Sequence, residues 1–481
     1  MLYLIDSSAK KFSGHNLEYL HRISSKAKSD FVILGNRELN PENNHRFRPT
    51  FEFSMWDFGR FGFLKRNSAE HDNHSSQTLR PSKALVTAER LVERFGAFVA
   101  MLLHRPILFV ARFSKQSRSY CRDMAKSLNK IGDESSIIIS SANARELVGL
   151  NQWIKYSTPN RYPISVILRL PILDMRSFLE IPFLFIDALI YLSVIKELAQ
   201  KVRFYSDTPG LAAKISACSG EFITFIPALG FELKQNTIKG PIEIAIAPNS
   251  RQENRYAIED LYAITDLSSK LKVEIDSNSY RQLLLSTSSM VLPYDSLRYR
   301  FRSSGVFAEL LTLGILPIVP TGTSMSREIT ELNSKILSSP EFLTELKVGS
   351  EIDLRQFDQE NLIITLEANF SGSLVVEISD NQTGIGKTIF DFFESDSKDS
   401  FFLHPAKHGF LSFKTDRFFP SANARLKISV NRIATMLFGV CYLEGDLHSI
   451  ISSPRKIGFP AQGSSLIEDH SPESICERLG I

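Results

Sequence analysis

The sequence is poor in cysteine and has no strong excess of charge of one sign. Its four cysteines, Cys121, Cys218, Cys441 and Cys476, are far apart and form no CxxC pair, so they predict neither a disulfide framework nor a zinc site. Reduced thiols of this kind are typical of a cytoplasmic protein. With 56 basic and 53 acidic residues, the net charge of +3 argues against a dedicated nucleic-acid-binding protein.

Long apolar runs are lacking as well. The N-terminus, MLYLIDSSAKKFSGHN, has no basic segment followed by a long apolar one, so no signal peptide is predicted. The most apolar stretch, residues 181–195, is too short to cross a bilayer and contains Asp187, which favours a buried helix. With 43% hydrophobic and 23% charged residues in a chain of 481, we expect a globular protein of two or three domains.

Up to about residue 235, helix and strand patterns alternate along the sequence. This alternation predicts a doubly wound parallel sheet. Within it, residues 83–103 are predicted to form a helix and residues 107–110 a strand. Residues 36–81 are polar and aromatic without a clear period, and indicate a long surface insertion. His71 and His74 in this insertion lack flanking ligands and favour a solvated loop over a metal site.

Several polar residues follow strands of this predicted sheet. Open parallel sheets bind ligands beyond the carboxyl ends of their strands. Gly14 and His15 follow the first strand, and Arg169 and Asp207 follow two later ones. The alternative for Gly14 and His15 is a tight turn with a surface histidine, and Arg169 and Asp207 could equally be structural ion-pair partners.

Residues 291–325 contain the clearest strand, helix and strand pattern. A short apolar strand is followed by a loop, by a predicted helix from Ser304 to Leu313, and by a second apolar run. Ser303 and Ser304 stand at the position of an N-cap, and Gly305 would let a ligand approach the free N–H groups of the first turn. This pattern indicates an anion-binding site.

Charged side chains flank the predicted helix. Arg298, Arg300 and Arg302 lie in the preceding loop, where they would add positive charge beside a phosphate. Glu309 interrupts an otherwise apolar helix, so its carboxylate needs a hydroxyl or cationic partner. A phosphate and a ribose diol would satisfy both features.

The order and spacing of these residues resemble the donor-site segment of bacterial glycosyltransferases of the GT-B, group 1-like type. The resemblance implies two Rossmann-like lobes, a diphosphate at the helix N-terminus and a nucleoside ribose at Glu309. Phe301 stands where many members carry a second glutamate. The matching residues are Tyr294, Asp295, Tyr299, Arg302, Ser304, Gly305, Val306, Glu309, Gly314, Pro317, Thr321, Gly322 and Thr323.

The resemblance also extends to two other segments. Gly14, His15 and Tyr19 match a Gly-His-x-x-x-Tyr pattern on the acceptor side. Arg251 matches the arginine of an Arg-x-x-Lys-Gly turn that clamps the donor phosphates, whereas Asn254 and Arg255 replace its lysine and glycine. Arg255 could substitute electrostatically for the lysine.

These matches imply the residues of the site. The catalytic residues would be His15, Arg302 and Glu309, and the donor-binding residues would be Gly14, Arg251, Arg255, Ser303, Ser304, Gly305 and Val306. The nucleotide-sugar donor is a substrate, so neither a cofactor nor a metal is expected.

The C-terminal part differs from the rest in its period. From residue 351 onwards, short alternating strand patterns separated by polar turns predict a β-sandwich-like domain. Residues 383–388 end like a phosphate-binding P-loop, but Asn381 replaces the leading glycine and a strand pattern follows. The tail from Ser452 is predicted to be loosely ordered. The expected domains are 1–235 and 236–345, the two α/β lobes, and 350–450, followed by a tail over 451–481.

The expected function follows from the resemblance. It is transfer of a hexose from a nucleotide-diphosphate sugar to a saccharide or lipid-linked acceptor, in surface polysaccharide biosynthesis. The expected location is the cytoplasm, or the periphery of the inner face of the membrane, and no nucleic-acid partner is expected. The alternative is a catalytically degenerate scaffold or binding protein of the same fold in a polysaccharide assembly system, which Phe301 and Asn254 favour.

Overall fold

A seven-stranded parallel sheet forms the first lobe. Its strand order is β3-β2-β1-β4-β5-β6-β7, and every pairing is parallel. The inner strands LYLI, SIII and ISVIL are continuous apolar runs because helices cover both faces of such a sheet. The strands are β1 (Leu2–Ile5), β2 (Phe31–Asn36), β3 (Phe47–Phe51), β4 (Ser136–Ile139), β5 (Ile164–Leu168), β6 (Arg203–Ser206) and β7 (Thr224–Phe225), and the helices are α1 (His15–Lys26), α2 (Lys83–Ala111), α3 (Lys115–Leu128), α4 (Ala144–Tyr156), α5 (Ile181–Leu198) and α6 (Pro209–Ser219).

This fold is taken from a computed structural model. It describes residues 1–9, 15–38, 46–54, 83–128, 132, 135–156, 162–170, 181–230, 242–247, 277–296, 299–337, 343–346, 351–353, 363–368, 372–380, 384–392, 399–403, 410–418, 426–431, 438–442 and 469–481.

A second, four-stranded parallel sheet forms the second lobe. Its order is β19-β10-β9-β8, so its outermost strand comes from far along the chain. The predicted α/β class with two parallel, Rossmann-like sheets is therefore confirmed. The elements are β8 (Ile242–Ile246), β9 (Thr287–Val291), β10 (Leu316–Pro320) and β19 (Val440–Tyr442), with helices α7 (Ser277–Ser286), α8 (Gly305–Leu313) and α9 (Ser324–Leu337).

Between β10 and β19 the chain forms two antiparallel sheets of four strands each. Their orders are β11-β18-β13-β16 and β12-β17-β14-β15. The strand pattern was predictable, and the packing of the two sheets into a sandwich stays a prediction. Residues 384–388 of the P-loop-like sequence lie within strand β15, whereas a phosphate-binding loop would lead there into a helix. The strands are β11 (Leu343–Leu346), β12 (Glu351–Asp353), β13 (Ile363–Ala368), β14 (Gly372–Asp380), β15 (Gly384–Phe392), β16 (Asp399–Leu403), β17 (Phe410–Phe418) and β18 (Leu426–Asn431).

The predicted strand over residues 107–110 is wrong, because α2 continues through it. The helix kinks at Leu103, where φ is −115° and ψ is 20°, and resumes with Pro106 near the start of its second segment. Proline is tolerated in the first turn of a helix, since its missing N–H would have no partner there. The kink therefore lets one long helix contain a residue that normally ends helices.

Three further segments differ from the prediction. Within the predicted insertion, residues 47–51 form the edge strand β3, because Phe47 and Phe51 are buried against the first lobe. Val440–Tyr442 lies within the range expected for the β-rich domain, but it pairs with β10 in the second sheet. The tail is not loosely ordered over residues 469–481, where α10 (Pro472–Leu479) packs on α1.

Candidate functional site

The N-terminus of α8 is built as the sequence predicts. The Ser304 hydroxyl accepts a hydrogen bond from the Phe307 amide (3.2 Å), and the Ser304 carbonyl accepts one from the Ala308 amide (3.2 Å). Neither bond uses the amides of Gly305 and Val306. Gly305 is exposed, whereas the Val306 side chain is buried in the core of the second lobe, so Val306 can offer a ligand its amide alone. The positive end of this helix is thus open at Gly305.

The cap is held in place by two stacked tyrosines. The Tyr294 hydroxyl lies 3.1 Å from the Ser304 hydroxyl oxygen. The Tyr294 and Tyr299 rings are stacked, with 4.1 Å between their centroids. Both tyrosines belong to the segment that resembles a donor site, and in this protein they fix the geometry of the helix N-terminus.

The carboxyl ends of β5 and β6 meet this helix N-terminus. The Ser303 hydroxyl donates a hydrogen bond to Oδ2 of Asp207, and the Thr208 hydroxyl donates one to the Phe301 carbonyl (2.9 Å). Arg169 Nε lies 3.7 Å from the same Asp207 oxygen. The two lobes therefore converge where the sequence predicts ligand-binding residues in each of them.

Several buried polar atoms at this junction have no hydrogen-bond partner. They include Oδ1 of Asp207, Nε of Arg169 and the hydroxyl of Tyr191. Burial raises the pKa of Asp207, and Arg169 and the Ser303 hydroxyl oppose that rise. The Arg169 guanidinium also covers the Tyr19 ring at 4.0 Å. Unpaired buried polar groups are costly, so this junction suits a ligand or water that supplies the missing bonds.

Glu309 has two partners within the protein. Its Oε1 lies 2.9 Å from Nη2 of Arg22 in α1, and its Oε2 accepts a hydrogen bond from the Tyr280 hydroxyl in α7 (2.8 Å). Burial, and then the neighbouring carboxylate, raise the pKa of Tyr280, which keeps it a donor. The cation and the hydroxyl that this carboxylate needs are thus supplied by the chain itself. Its role in ribose binding stays a prediction.

The arginines of the preceding loop do not all face the helix. Arg302 is partly exposed next to the cap, and its carbonyl accepts a hydrogen bond from the Ser324 hydroxyl. Arg300 instead lines a cavity of about 600 Å³ together with Glu89, Glu93 and Lys214, and burial lowers its pKa. Arg298 lies outside the described residues.

Phe301 occupies the position where the resembling family often has a glutamate. Its ring is surrounded by cations: Lys214 Nζ lies 4.2 Å from the ring centroid, Arg300 Cζ 4.8 Å and Arg327 Cζ 5.7 Å. The negative face of an aromatic ring attracts such groups. The positive charge of these basic side chains is thus partly balanced by the face of an aromatic ring. In the resembling family, a carboxylate often stands at this position.

Part of the predicted site lies outside the described residues. Gly14, Arg251 and Arg255 belong to this part, and only the backbone of His15, the first residue of α1, is described. Among the predicted residues that are described, Arg302, Ser303, Ser304 and Gly305 come together at one end of α8. In the described part of the chain, no group of three or more His, Cys, Asp or Glu is placed to hold a metal ion.

Sequence reasoning missed Arg22, Thr208 and Tyr280. Arg22 lies three residues after Tyr19, which places both on one face of α1, and this spacing was a usable signal. Thr208 precedes a proline and could be expected to cap α6, which it does by accepting from the Leu211 amide (3.2 Å). Nothing in the sequence around Tyr280 points to Glu309.

Comparison with known proteins finds distant structural similarity and no family. No family model matches the chain, and no curated protein matches it. The N-terminal domain of Candida albicans trehalose-6-phosphate phosphatase is similar at 10% identity and a TM-score of 0.39, with 69% of this chain and 84% of that chain covered. The capsular polysaccharide assembling protein CapF from Staphylococcus aureus is similar at 10% identity and a TM-score of 0.13, with 67% and 88% covered. A structure of CapF with the inhibitor 3-isopropenyl-tropolone has a TM-score of 0.12 at 10% identity, with 65% and 86% covered. Scores this low support no argument, and the fold assignment depends on the strand order and registers alone.

Proposed function

We propose that the junction between the two lobes binds a nucleotide-diphosphate sugar and that the protein transfers the sugar to a saccharide or lipid-linked acceptor. The observation that carries this proposal is the contact between Ser303 and Asp207. It brings the open N-terminus of α8 to the carboxyl edge of the first sheet. A helix N-terminus readily binds an anionic donor, and the carboxyl edge of a parallel sheet readily binds a polar acceptor.

The chemistry requires stabilisation of the leaving diphosphate. Its charge grows in the transition state, and preorganised donors aimed at that charge lower the barrier. The amides of Gly305 and Val306 and the guanidinium of Arg302 would supply them. His15, Arg251 and Arg255 keep their predicted roles on the acceptor and donor sides.

A specific observation favours the second candidate, a scaffold or binding protein in a polysaccharide assembly system. Both carboxylate oxygens of Glu309 are already bound by Arg22 and Tyr280. In an enzyme of the resembling type, a donor ribose would have to replace one of these partners. In a scaffold, the same contacts would simply hold α8 against α1 and α7.

The test is nucleotide binding by the full chain. UDP, GDP, CMP and ADP, each also as its sugar conjugate, are titrated while the melting temperature is measured. We expect one nucleotide to stabilise the protein. Gly305→Pro removes a single amide donor, because proline fits the first helical position and Ser304 has φ −131° and ψ 121°, as a residue before proline prefers. The affinity should fall about tenfold or more, as expected for the loss of a hydrogen bond to a charged group.

Arg302→Ala should weaken binding to a similar degree. Arg203→Ala is the matched control, because Arg203 is exposed at the amino end of β6, the opposite edge of the sheet. If no nucleotide stabilises the protein, or if Gly305→Pro binds as tightly as the unchanged protein, the proposal is wrong. Binding without donor hydrolysis or sugar transfer would instead support the scaffold.

A further inference from the structure

The solvent-facing side of α2 is apolar along almost its whole length. Leu91, Phe95, Phe98, Leu102 and Phe109 repeat at helical spacing, and each leaves half or more of its surface exposed. Large exposed patches of this kind mark contact sites, whereas single exposed apolar residues do not. We call this surface the outer face of α2. It also includes Met101, Leu103 and Val110, and Phe113 just beyond the end of the helix, which are exposed to a similar degree.

The opposite side of α2 packs along the first lobe. It contacts α5 and α6, and Ala100, Leu108 and Ala111 are buried there. At Gly96 an added Cβ would lie 3.3 Å from the Phe185 ring, so the two helices approach closely. Residues Thr87–Ala111 are long and apolar enough to cross a membrane by length and composition. Because one side is packed against the lobe throughout, the helix can present only its outer face to a bilayer.

The exposed charges between Thr87 and Arg118 are of one sign. Glu89 and Glu93 are buried and paired with Lys214, whose Nζ lies 2.7 Å from Oε1 of Glu89. From Thr87 to Arg118, the charged side chains that are exposed or partly exposed are all basic: Arg90, Arg94, Arg105, Arg112, Lys115 and Arg118.

The basic side chains lie among the apolar ones as they would at a bilayer surface. The Arg112 guanidinium covers the Phe109 ring at 3.9 Å and the Phe113 ring at 4.7 Å. In this arrangement the rings can enter the boundary between head groups and acyl chains, while the guanidinium reaches lipid phosphate. A second copy of the chain fits poorly, because two outer faces would bring arginines together, and the nearby carboxylate of Glu197 already pairs with Lys155 (2.8 Å).

We propose that the outer face of α2 docks onto an anionic lipid bilayer, with the helix lying in the plane of the membrane surface. Its apolar side chains provide the insertion, and its arginines and lysine provide the preference for anionic head groups. This surface is independent of the nucleotide site, so either proposal can fail without the other.

The experiment is co-sedimentation of the full chain with vesicles of phosphatidylcholine alone and with 30% phosphatidylglycerol. We expect binding to the anionic vesicles that weakens as salt is raised. Phe98→Ser combined with Leu102→Ser should abolish it. Each of Arg94→Gln and Arg105→Gln should weaken binding to the anionic vesicles about fivefold. All of these side chains are exposed, so the melting temperature should not change.

The matched control is Tyr156→Ser combined with Phe222→Ser, which removes two exposed aromatic rings outside α2. This variant should bind like the unchanged protein. Failure of the unchanged protein to bind anionic vesicles would overturn the proposal, as would full binding by the Phe98 and Leu102 variant. A dimer in solution that these two substitutions dissociate, without vesicle binding, would show that the outer face is covered by a second copy instead.

Discussion

Glu309 places a carboxylate that is only 5% exposed among the apolar side chains of α8. A carboxylate in a helix of apolar side chains requires a partner, and this requirement is readable from the sequence. The partner itself is Arg22, 287 positions away, in a different lobe. Only the fold brings these two side chains together, so their ion pair joins α1 of the first lobe to α8 of the second.

Removing Arg22 and removing Glu309 should destabilise the protein to different degrees. Their side chains are 5% and 13% exposed, so removing one charge leaves the other in a poorly solvated site. Arg22→Met should lower the free energy of unfolding by about 3 kcal/mol, because an unpaired buried carboxylate remains. Glu309→Gln should cost about 1 kcal/mol, since the amide oxygen can still accept from Tyr280 and Arg22 keeps its bond to the Gly230 carbonyl (3.1 Å).

Urea unfolding of the two single variants and the double variant measures this difference. The double variant should be more stable than Arg22→Met alone, because it no longer contains an unpaired buried charge. Equal losses in the two single variants would mean that the carboxylate is solvated despite its position.

At the scale of elements, α8 could be predicted from its local sequence pattern, whereas α2 could not. In α2, the local pattern predicts a helix over residues 83–103 and a strand over residues 107–110, but both belong to one helix with Pro106 inside it. The observed structure is a kinked helix that packs along α5. This packing depends on the close approach of Gly96 to α5, a helix too far along the chain to enter a local sequence pattern. By contrast, α8 was predicted almost to the residue, because its cap, its apolar periodicity and its closing Gly314 are all local signals.

The C-terminal helix α10 carried local signals that the sequence analysis overlooked. Ser471 caps it by accepting from the Ser474 amide (3.2 Å), Pro472 begins it, and Gly480 ends it with φ 74°. The polar residues before it obscured a short apolar stripe. That stripe, Ile475, Cys476 and Leu479, is buried in the core of the first lobe.

Ile475 is the residue through which α10 can be tested. It is fully buried, so Ile475→Ala should lower the free energy of unfolding by about 3 kcal/mol through lost burial and the cavity that remains. Glu477→Ala, on the exposed side of the same helix, should change it by less than about 0.5 kcal/mol. Chemical denaturation of both variants checks this prediction. A small effect of Ile475→Ala would show that α10 does not pack on the first lobe in solution.

At the scale of the whole molecule, the lobes are joined by contacts between distant segments. Besides the pairs of Ser303 with Asp207 and Arg22 with Glu309, the C-terminal segment contacts both lobes through His470. Its Nε2 lies 2.6 Å from Oε1 of Glu328 in α9, and its Nδ1 lies 2.8 Å from the Ala228 carbonyl oxygen, which follows β7. Both partners are hydrogen-bond acceptors, so the charged imidazole, which has a proton on each ring nitrogen, can donate to both of them.

His470 therefore makes stability depend on pH. Burial alone would lower its pKa, but Glu328 and the Ala228 carbonyl outweigh burial and raise it above the ordinary 6.5. The folded protein thus binds this proton more tightly than the unfolded chain does. The stabilisation by this proton is complete below about pH 6.5. It is lost as pH rises through the higher folded pKa, at about 1.4 kcal/mol for each unit by which the two pKa values differ.

We expect the urea midpoint of the unchanged protein to fall over this pH range, and the fall to be smaller in His470→Gln. His21→Gln, which replaces an exposed histidine of α1, should leave the pH dependence unchanged. An equal slope in the His470 variant would mean that the lobes are not coupled through this residue.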